Sequence, residues 1–255
     1  MELHYKTLGE GQPMIILHGI FGTSDNWQTF GKKLADDGYQ VFLVDQRNHG
    51  NSPHSDDFSY SVLANDIRDF IQQHQLENPV ILGHSMGGKA ALFFAVTYPE
   101  LYDKIIVVDI APKAYPNRHD TIMKAFSAVD TTHLQSRNEA EEQMKPYVAD
   151  VGIRQFLLKN LKRTDDGFAW KLNLPVIQKN MDKVMEGLAA DKTTGKPILF
   201  VRGENSDYIL DDDERAINKQ FPKARIITIP HAGHWVHAEQ PEPLYKAIVD
   251  FLKNG

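Results

Sequence analysis

The sequence predicts an α/β fold: a mostly parallel sheet flanked by helices, with a helical segment inserted before the penultimate strand. Two observations carry this expectation. Short aliphatic runs alternate with longer amphipathic stretches through the first part of the 255-residue chain, as repeated βα units require. The alternation then stops for about 80 residues before two more aliphatic runs resume it.

The runs at 14–17 (MIIL), 41–44 (VFLV), 79–82 (PVIL) and 105–108 (IIVV) read as strands, apolar throughout because a parallel sheet is covered on both faces. Helices are expected at 26–37, at 60–75 from the spacing of Val62, Ile67, Phe70 and Ile71, and at 86–98, which Pro99 closes. Strands at 197–201 (PILFV) and 225–229 (RIITI) and a terminal helix at 242–253 complete the series. Between 112 and 191 strand signals are absent and polar helical patterns dominate, bounded by "APKAYPNRHD" and the turn-rich "DKTTGKP". A crossover between parallel strands needs only about a dozen residues or somewhat more. The expected organisation is therefore a core formed by 1–111 and 192–255 with a helical cap at 112–191. Phe126, Phe156, Leu157 and Trp170 are candidates for the roof of a pocket beneath it.

With 42% hydrophobic and 24% charged residues, usage is that of an ordinary globular protein. The net charge of −6 supplies no general positive field, so no nucleic-acid partner is expected. The aliphatic runs are too short to span a bilayer and the start lacks a signal-like stretch, which leads us to expect no membrane partner and a cytoplasmic location. The absence of cysteine excludes disulfides, thiol nucleophiles and thiolate metal sites.

"PVILGHSMGGKA" at 79–90 permits two readings. From Gly83 it nearly matches the phosphate loop G-x-x-x-x-G-K-[ST], but Ala90 stands where a magnesium-binding hydroxyl is needed. From the same Gly83 it matches G-x-S-x-G around Ser85, a strand-to-helix turn that exposes a nucleophilic serine. The preceding aliphatic strand and the following "KAALFFA" favour the second. Lys89, one helical turn on, is expected to be solvated or paired.

A serine nucleophile needs a base. In "IPHAGHWVHAEQPEPL" the histidines 231, 234 and 237 recur every third residue, yet Pro230 and Gly233 interrupt any helix that would align them on a metal. His234, after a glycine and between a strand and a helix, is the candidate base. His231 and His237 read as polar loop and first-turn residues. Oxyanion donors are expected from the backbone amides of Ile20, in "LHGIFG", and Met86. Asp45 and Arg47 in "DQRNHGNS" are expected to pair with each other and with backbone carbonyls.

"HGIFG", "DQRNHGNS", "GHSMGG" and "GHWVHAEQP", in this order, resemble the α/β-hydrolase superfamily over essentially the whole chain. The longer strings "DQRNHGNSP", "GHSMGGKAAL", "DIAPKAY" and "GENSDY" are similar to small bacterial esterases of the YbfF type. The resemblance implies hydrolysis of short- or medium-chain acyl esters, sometimes thioesters, with a helical cap, no cofactor and no metal.

Two aspartates satisfy the chain order serine, acid, histidine. The superfamily's usual place is the loop after the penultimate strand, where Asp207 lies. Counted from Gly203 without gaps, however, that position falls on Ser206. Esterases of the YbfF type place the acid in D-I-A-P, which Asp109 opens here. The reading favours Asp109 and keeps Asp207 open. The expected activity is that of a serine esterase acting through an acyl-enzyme on a small-molecule acyl ester. Carbon-carbon bond hydrolysis or a lyase on the same triad is the same-fold alternative, and a non-catalytic binding protein or nucleotide switch the alternatives of another class. A serine at 85, rather than an aspartate, disfavours the dehalogenase and epoxide hydrolase versions of the fold.

Overall fold

The aliphatic runs become strands in the computed structural model, which describes residues 1–165 and 167–254. The strands are β1 (Tyr5–Leu8), β2 (Gln12–Leu17), β3 (Tyr39–Val44), β4 (Val80–His84), β5 (Ile105–Val108), β6 (Leu161–Thr164), β7 (Gly167–Trp170), β8 (Ile198–Gly203) and β9 (Ala224–Ile229). The helices are α1 (Gln28–Asp36), α2 (Tyr60–Gln73), α3 (Met86–Thr97), α4 (Asp120–Ala128), α5 (Arg137–Met144), α6 (Val151–Leu158), α7 (Leu174–Lys179), α8 (Met181–Met185), α9 (Asp211–Gln220), α10 (Val236–Glu239) and α11 (Pro241–Asn254).

Seven strands form one sheet in the order β1-β3-β2-β4-β5-β8-β9. All its pairings are parallel except that of β1 with β3. Period-two alternation divides the strand residues between two cores. Ile15, Leu17, Ile81, Val107 and Phe200 face α2 and α3, whereas Ile16, Leu43, Leu82, Ile106 and Leu199 face α1 and α11. The chain leaves β2 toward one edge and β4 toward the other. The turns after these neighbouring strands therefore diverge and leave a crevice at their carboxyl ends, the usual ligand position in open α/β sheets.

Between β5 and β8 the described residues hold helices α4 to α8 and also the antiparallel hairpin β6–β7. The hairpin corrects the purely helical expectation for 112–191; each of its strands is only four residues long, too short for a periodicity signal. Met123, Phe126, Leu157 and Ile177 join the same apolar cluster as α2 and α3, so burial runs continuously from the sheet into the inserted segment. Polar ties reinforce this contact. The Tyr60 hydroxyl donates to the Val184 carbonyl at 2.7 Å, and the Asn173 amide to the Asn48 carbonyl at 3.0 Å. Lys89, expected to be solvated or paired, is buried and donates to the carbonyls of Met185 and Glu186 beneath the faces of Tyr60 and Tyr115. Burial, opposed by Glu186, draws its ammonium down to about 8.

The sequence reading also lacked β1 and α9. The first is a half-buried edge strand of four residues, and the second, opening on three aspartates, buries only Ile217. No described helix is long and apolar enough to cross a membrane.

Candidate active site

β4 ends in a turn whose backbone is forced. Ser85 has φ 52° and ψ −118°, a left-handed conformation that costs a non-glycine residue about 1–3 kcal/mol. Two glycines allow it. A Cβ on Gly83 would lie 2.2 Å from the Gly87 carbonyl oxygen, and one on Gly87 would lie 2.5 Å from that of Leu17. The Ser85 amide donates to the Val108 carbonyl at 3.0 Å, and the Ser85 carbonyl accepts from Lys89 at 3.0 Å as α3 begins.

His234 stands in the loop between β9 and α10. Its carbonyl accepts from His84 Nε2 at 2.9 Å, and the flanking amides of Gly233 and Trp235 donate to Glu239 at 2.7 and 3.1 Å. The Tyr208 ring stacks on the imidazole at 3.9 Å between centroids, with 17° between planes. His234 Nδ1 lies 2.8 Å from Asp109 Oδ2. Because a carboxylate only accepts, Nδ1 carries the proton and Nε2 is left as a proton acceptor.

The two candidate acids have different surroundings. Asp109, at φ 54°, is 0% exposed; its carboxylate accepts from the Gly203 amide at 2.9 Å, from the Ser206 hydroxyl and from His234. Asp207 does not join this group. Its side chain is 60% exposed and pairs with Arg118 across the mouth of the site. The position that direct counting assigned to the acid is held by Ser206, whose hydroxyl turns inward to Asp109.

The turn after β2 is fixed from both sides. His18 Nδ1 donates to the Gly19 carbonyl at 2.8 Å while its Nε2 accepts from the Gln46 amide at 3.0 Å. Phe21 is left-handed at φ 62°, and its carbonyl accepts from Asn160 Nδ2 at 2.6 Å, a bond from the inserted segment. Among the described residues the Ile20 amide has no backbone acceptor, and Met86, first in α3, has none within the helix. Ile20, Ser85 and Met86 line one small pocket of about 20 Å³.

A larger cavity of about 180 Å³ opens over Ser85 and His234. Phe156 and Leu157 line it together with Ile122 and Ile153; Phe126 and Trp170, also candidates for the roof, instead meet edge to face at 4.9 Å between centroids within the apolar core. His237, in the first turn of α10 as expected, also lines the cavity and stacks on Trp27 at 4.3 Å between centroids. Burial, then repulsion from His234, pushes its imidazole down to about 3, and the same two causes place His84 well below the usual histidine range. His231 is exposed beside Glu204.

The expected Asp45–Arg47 pair is also corrected. Arg47 makes a two-pronged ion pair with Asp66 of α2 at 2.5 and 2.6 Å, both groups buried. Asp45 instead accepts from the amides of Ser24 at 2.7 Å and Asn51 at 2.9 Å. Burial alone would raise its carboxyl; His18 and these amides outweigh that and hold it below the ordinary value. The linkage of Arg47 to a residue 19 positions away is purely tertiary and leaves no local trace. His84, Asn160 and Tyr208 were likewise not identified from the sequence. Only Ser206 carried a signal, its place in the G-x-x-D count.

A family model described as alpha/beta hydrolase fold matches residues 12–241. The mouse sn-1-specific diacylglycerol lipase ABHD11 is 38% identical over 94% of this chain and 80% of its own length. Esterase YbfF of Escherichia coli is 35% identical over 95% of this chain and 93% of its own. A solved marine microorganism esterase superposes with a TM-score of 0.95 at 43% identity, covering 98% of this chain and 99% of that one. With the family model spanning nearly the whole chain and relatives above 30% identity at almost full coverage, the chain belongs to the α/β-hydrolase family.

Proposed function

We propose that the protein is a serine carboxylic ester hydrolase acting on short- to medium-chain acyl esters. The observation that carries this reading is Ser85 and His234 opening on one cavity, with His234 Nδ1 held 2.8 Å from the enclosed carboxylate of Asp109. Relatives named esterase and diacylglycerol lipase support the same class. Ser85 Oγ attacks the ester carbonyl as His234 Nε2 takes its proton, and the amides of Ile20 and Met86 stabilise the tetrahedral oxyanion. The intermediate collapses, the C–O bond breaks and His234 returns the proton to the leaving alkoxide. Water then attacks the acyl-serine with His234 again as base. Asp109 fixes the tautomer and stabilises the imidazolium.

Residues 112–191 act in this reading as a cap that sets acyl-chain preference through Phe156 and Leu157, which face the cavity. The substrate is a small molecule, and the cytoplasmic setting expected from the sequence belongs to the proposal, to be checked by cell fractionation.

The deciding experiment compares the protein with Ser85→Ala on p-nitrophenyl esters of graded chain length. The variant is expected to fold and to lose activity by about 10⁴-fold or more. Retention of a tenth of the activity would remove Ser85 as nucleophile. Equal turnover of acetyl and octanoyl esters by both the parent protein and Phe156→Ala would remove the cap's role in chain preference.

A further inference from the structure

One polar side chain beside Ser85 has no role in the mechanism above. His119, in the turn before α4, lines both the larger cavity and the small pocket formed by Ile20, Ser85 and Met86. Its Nδ1 is enclosed without a hydrogen-bond partner, against the Phe21 ring at 5.6 Å between centroids. Nε2 is not enclosed and also meets no protein partner among the described residues. Of the other polar groups around the cavity, His18 is engaged by Gly19 and Gln46, Asn26 by the Thr23 amide, and Arg118 by Asp207. Trp27 Nε1 and His237 Nδ1 are also enclosed without partners, but of these three side chains only His119 also lines the small pocket with Ile20, Ser85 and Met86.

Burial, then repulsion from His234, pushes the His119 imidazole down to about 4, so it is neutral at ordinary pH. A neutral ring with one nitrogen turned to the cavity offers a single hydrogen bond and no charge. A hydroxyl, which donates and accepts, satisfies either tautomer, whereas a carboxylate gains no ion pair. His119, Ser85 and His234 line one cavity, and this placement indicates which part of the substrate passes the ring. A leaving alkoxide must lie at His234 to receive its proton, so the alcohol portion of the ester runs toward His119.

We propose that His119 is a specificity-determining residue that hydrogen-bonds a hydroxyl on the alcohol part of the ester, so that partial esters of polyols are preferred over esters of plain alkanols. The inference rests on the ester-hydrolase reading. Closure of the cavity over a plain alkyl group strips water from Nε2 and returns nothing. A site with a polar group waiting for a substrate hydroxyl discriminates in this way against the analogue that lacks it.

The test compares kcat/KM for 2-hydroxyethyl butyrate and propyl butyrate, which match in size, with each value corrected by the ester's alkaline hydrolysis rate. The parent protein is expected to favour the hydroxy ester by about tenfold, the worth of one hydrogen bond. His119→Leu should abolish that ratio, and His119→Gln, which keeps a donor and an acceptor, should restore part of it. A parent ratio near one overturns the proposal without any variant. So does an equal fall on both esters in His119→Leu, which marks a structural role. Failure of the parent protein to hydrolyse either ester would instead count against the ester-hydrolase reading itself.

Discussion

The loops after β5 and β8 leave adjacent strands at the same edge of the sheet, and each carries an aspartate that chain order admits as the acid. Asp109 is enclosed, with three donors converging on its carboxylate; Asp207 projects into solvent against Arg118. The difference favours Asp109 in the proposed site, because its carboxylate and not that of Asp207 finds donors out of water. An enclosed anion without partners would be prohibitively costly, and Asp109 meets that requirement with the Gly203 amide, the Ser206 hydroxyl and the imidazole.

The sharpest way to break this contrast is Asp109→Asn. The amide keeps the shape but favours the wrong imidazole tautomer, and kcat on p-nitrophenyl acetate is expected to fall by about 10⁴-fold. A mild loss there with a severe one in Asp207→Asn would reverse the assignment of roles.

A second measurement probes burial around the site through stability. The imidazoles of His49 and His237 are held at about 3, His49 by burial and then by repulsion from His18. Their ordinary value is near 6.5, so as the pH falls from there toward 3 the unfolded chain takes up protons that the folded chain refuses. Stability is therefore present above pH 6.5 and lost below it, by up to about 1.4 kcal/mol per pH unit for each such histidine. Urea unfolding at pH 7, 5.5 and 4.5 measures the slope, and a flat profile would refute it.

Ser206→Ala removes one of the three donors to Asp109 and leaves the others. A loss in kcat of about tenfold to a hundredfold is expected, the range for a hydrogen bond to a buried charge. No loss would mean that the remaining two donors suffice. Asn160→Ala strips the Phe21 carbonyl of its partner, and stability should fall by about 1–3 kcal/mol by thermal or urea unfolding. Asp207→Asn should be the smallest of all. An exposed ion pair contributes about 0–1 kcal/mol, so activity within about twofold of the parent is expected, and any effect should shrink in high salt.

How far the sequence reveals this site follows from what each residue depends on. The aliphatic runs mark β2 to β5 and β8 because burial on both sheet faces demands apolar stretches, whereas the half-buried edge strand β9 is marked by its β-branched residues. Ser85, His234 and the turn at Ile20 sit at the ends of those runs, where local chemistry marks them. Chain order alone admits both aspartates as the acid, and only the D-I-A-P resemblance favours Asp109. What separates them is that β8 continues to Gly203, two residues beyond the aliphatic run, which delays the turn so that Ser206 faces inward and Asp207 outward. Arg47 and Asp66, His84 and the His234 carbonyl, and Asn160 and the Phe21 carbonyl meet only in the folded chain. His119 belongs to no motif and follows a polar turn, so nothing local distinguishes it.

The bond from Asn160 to the Phe21 carbonyl bears on how this enzyme can be re-engineered. Grafting the corresponding segment from a relative looks like a modular exchange, since the proposed nucleophile, base and acid all come from the other part of the chain. Yet the graft would replace the side chain that fixes the left-handed residue next to Ile20. Chimeras made at the natural boundaries should retain catalysis only when the donor segment brings an asparagine or an equivalent donor at that point, so the turn and its partner must be transferred as a matched unit.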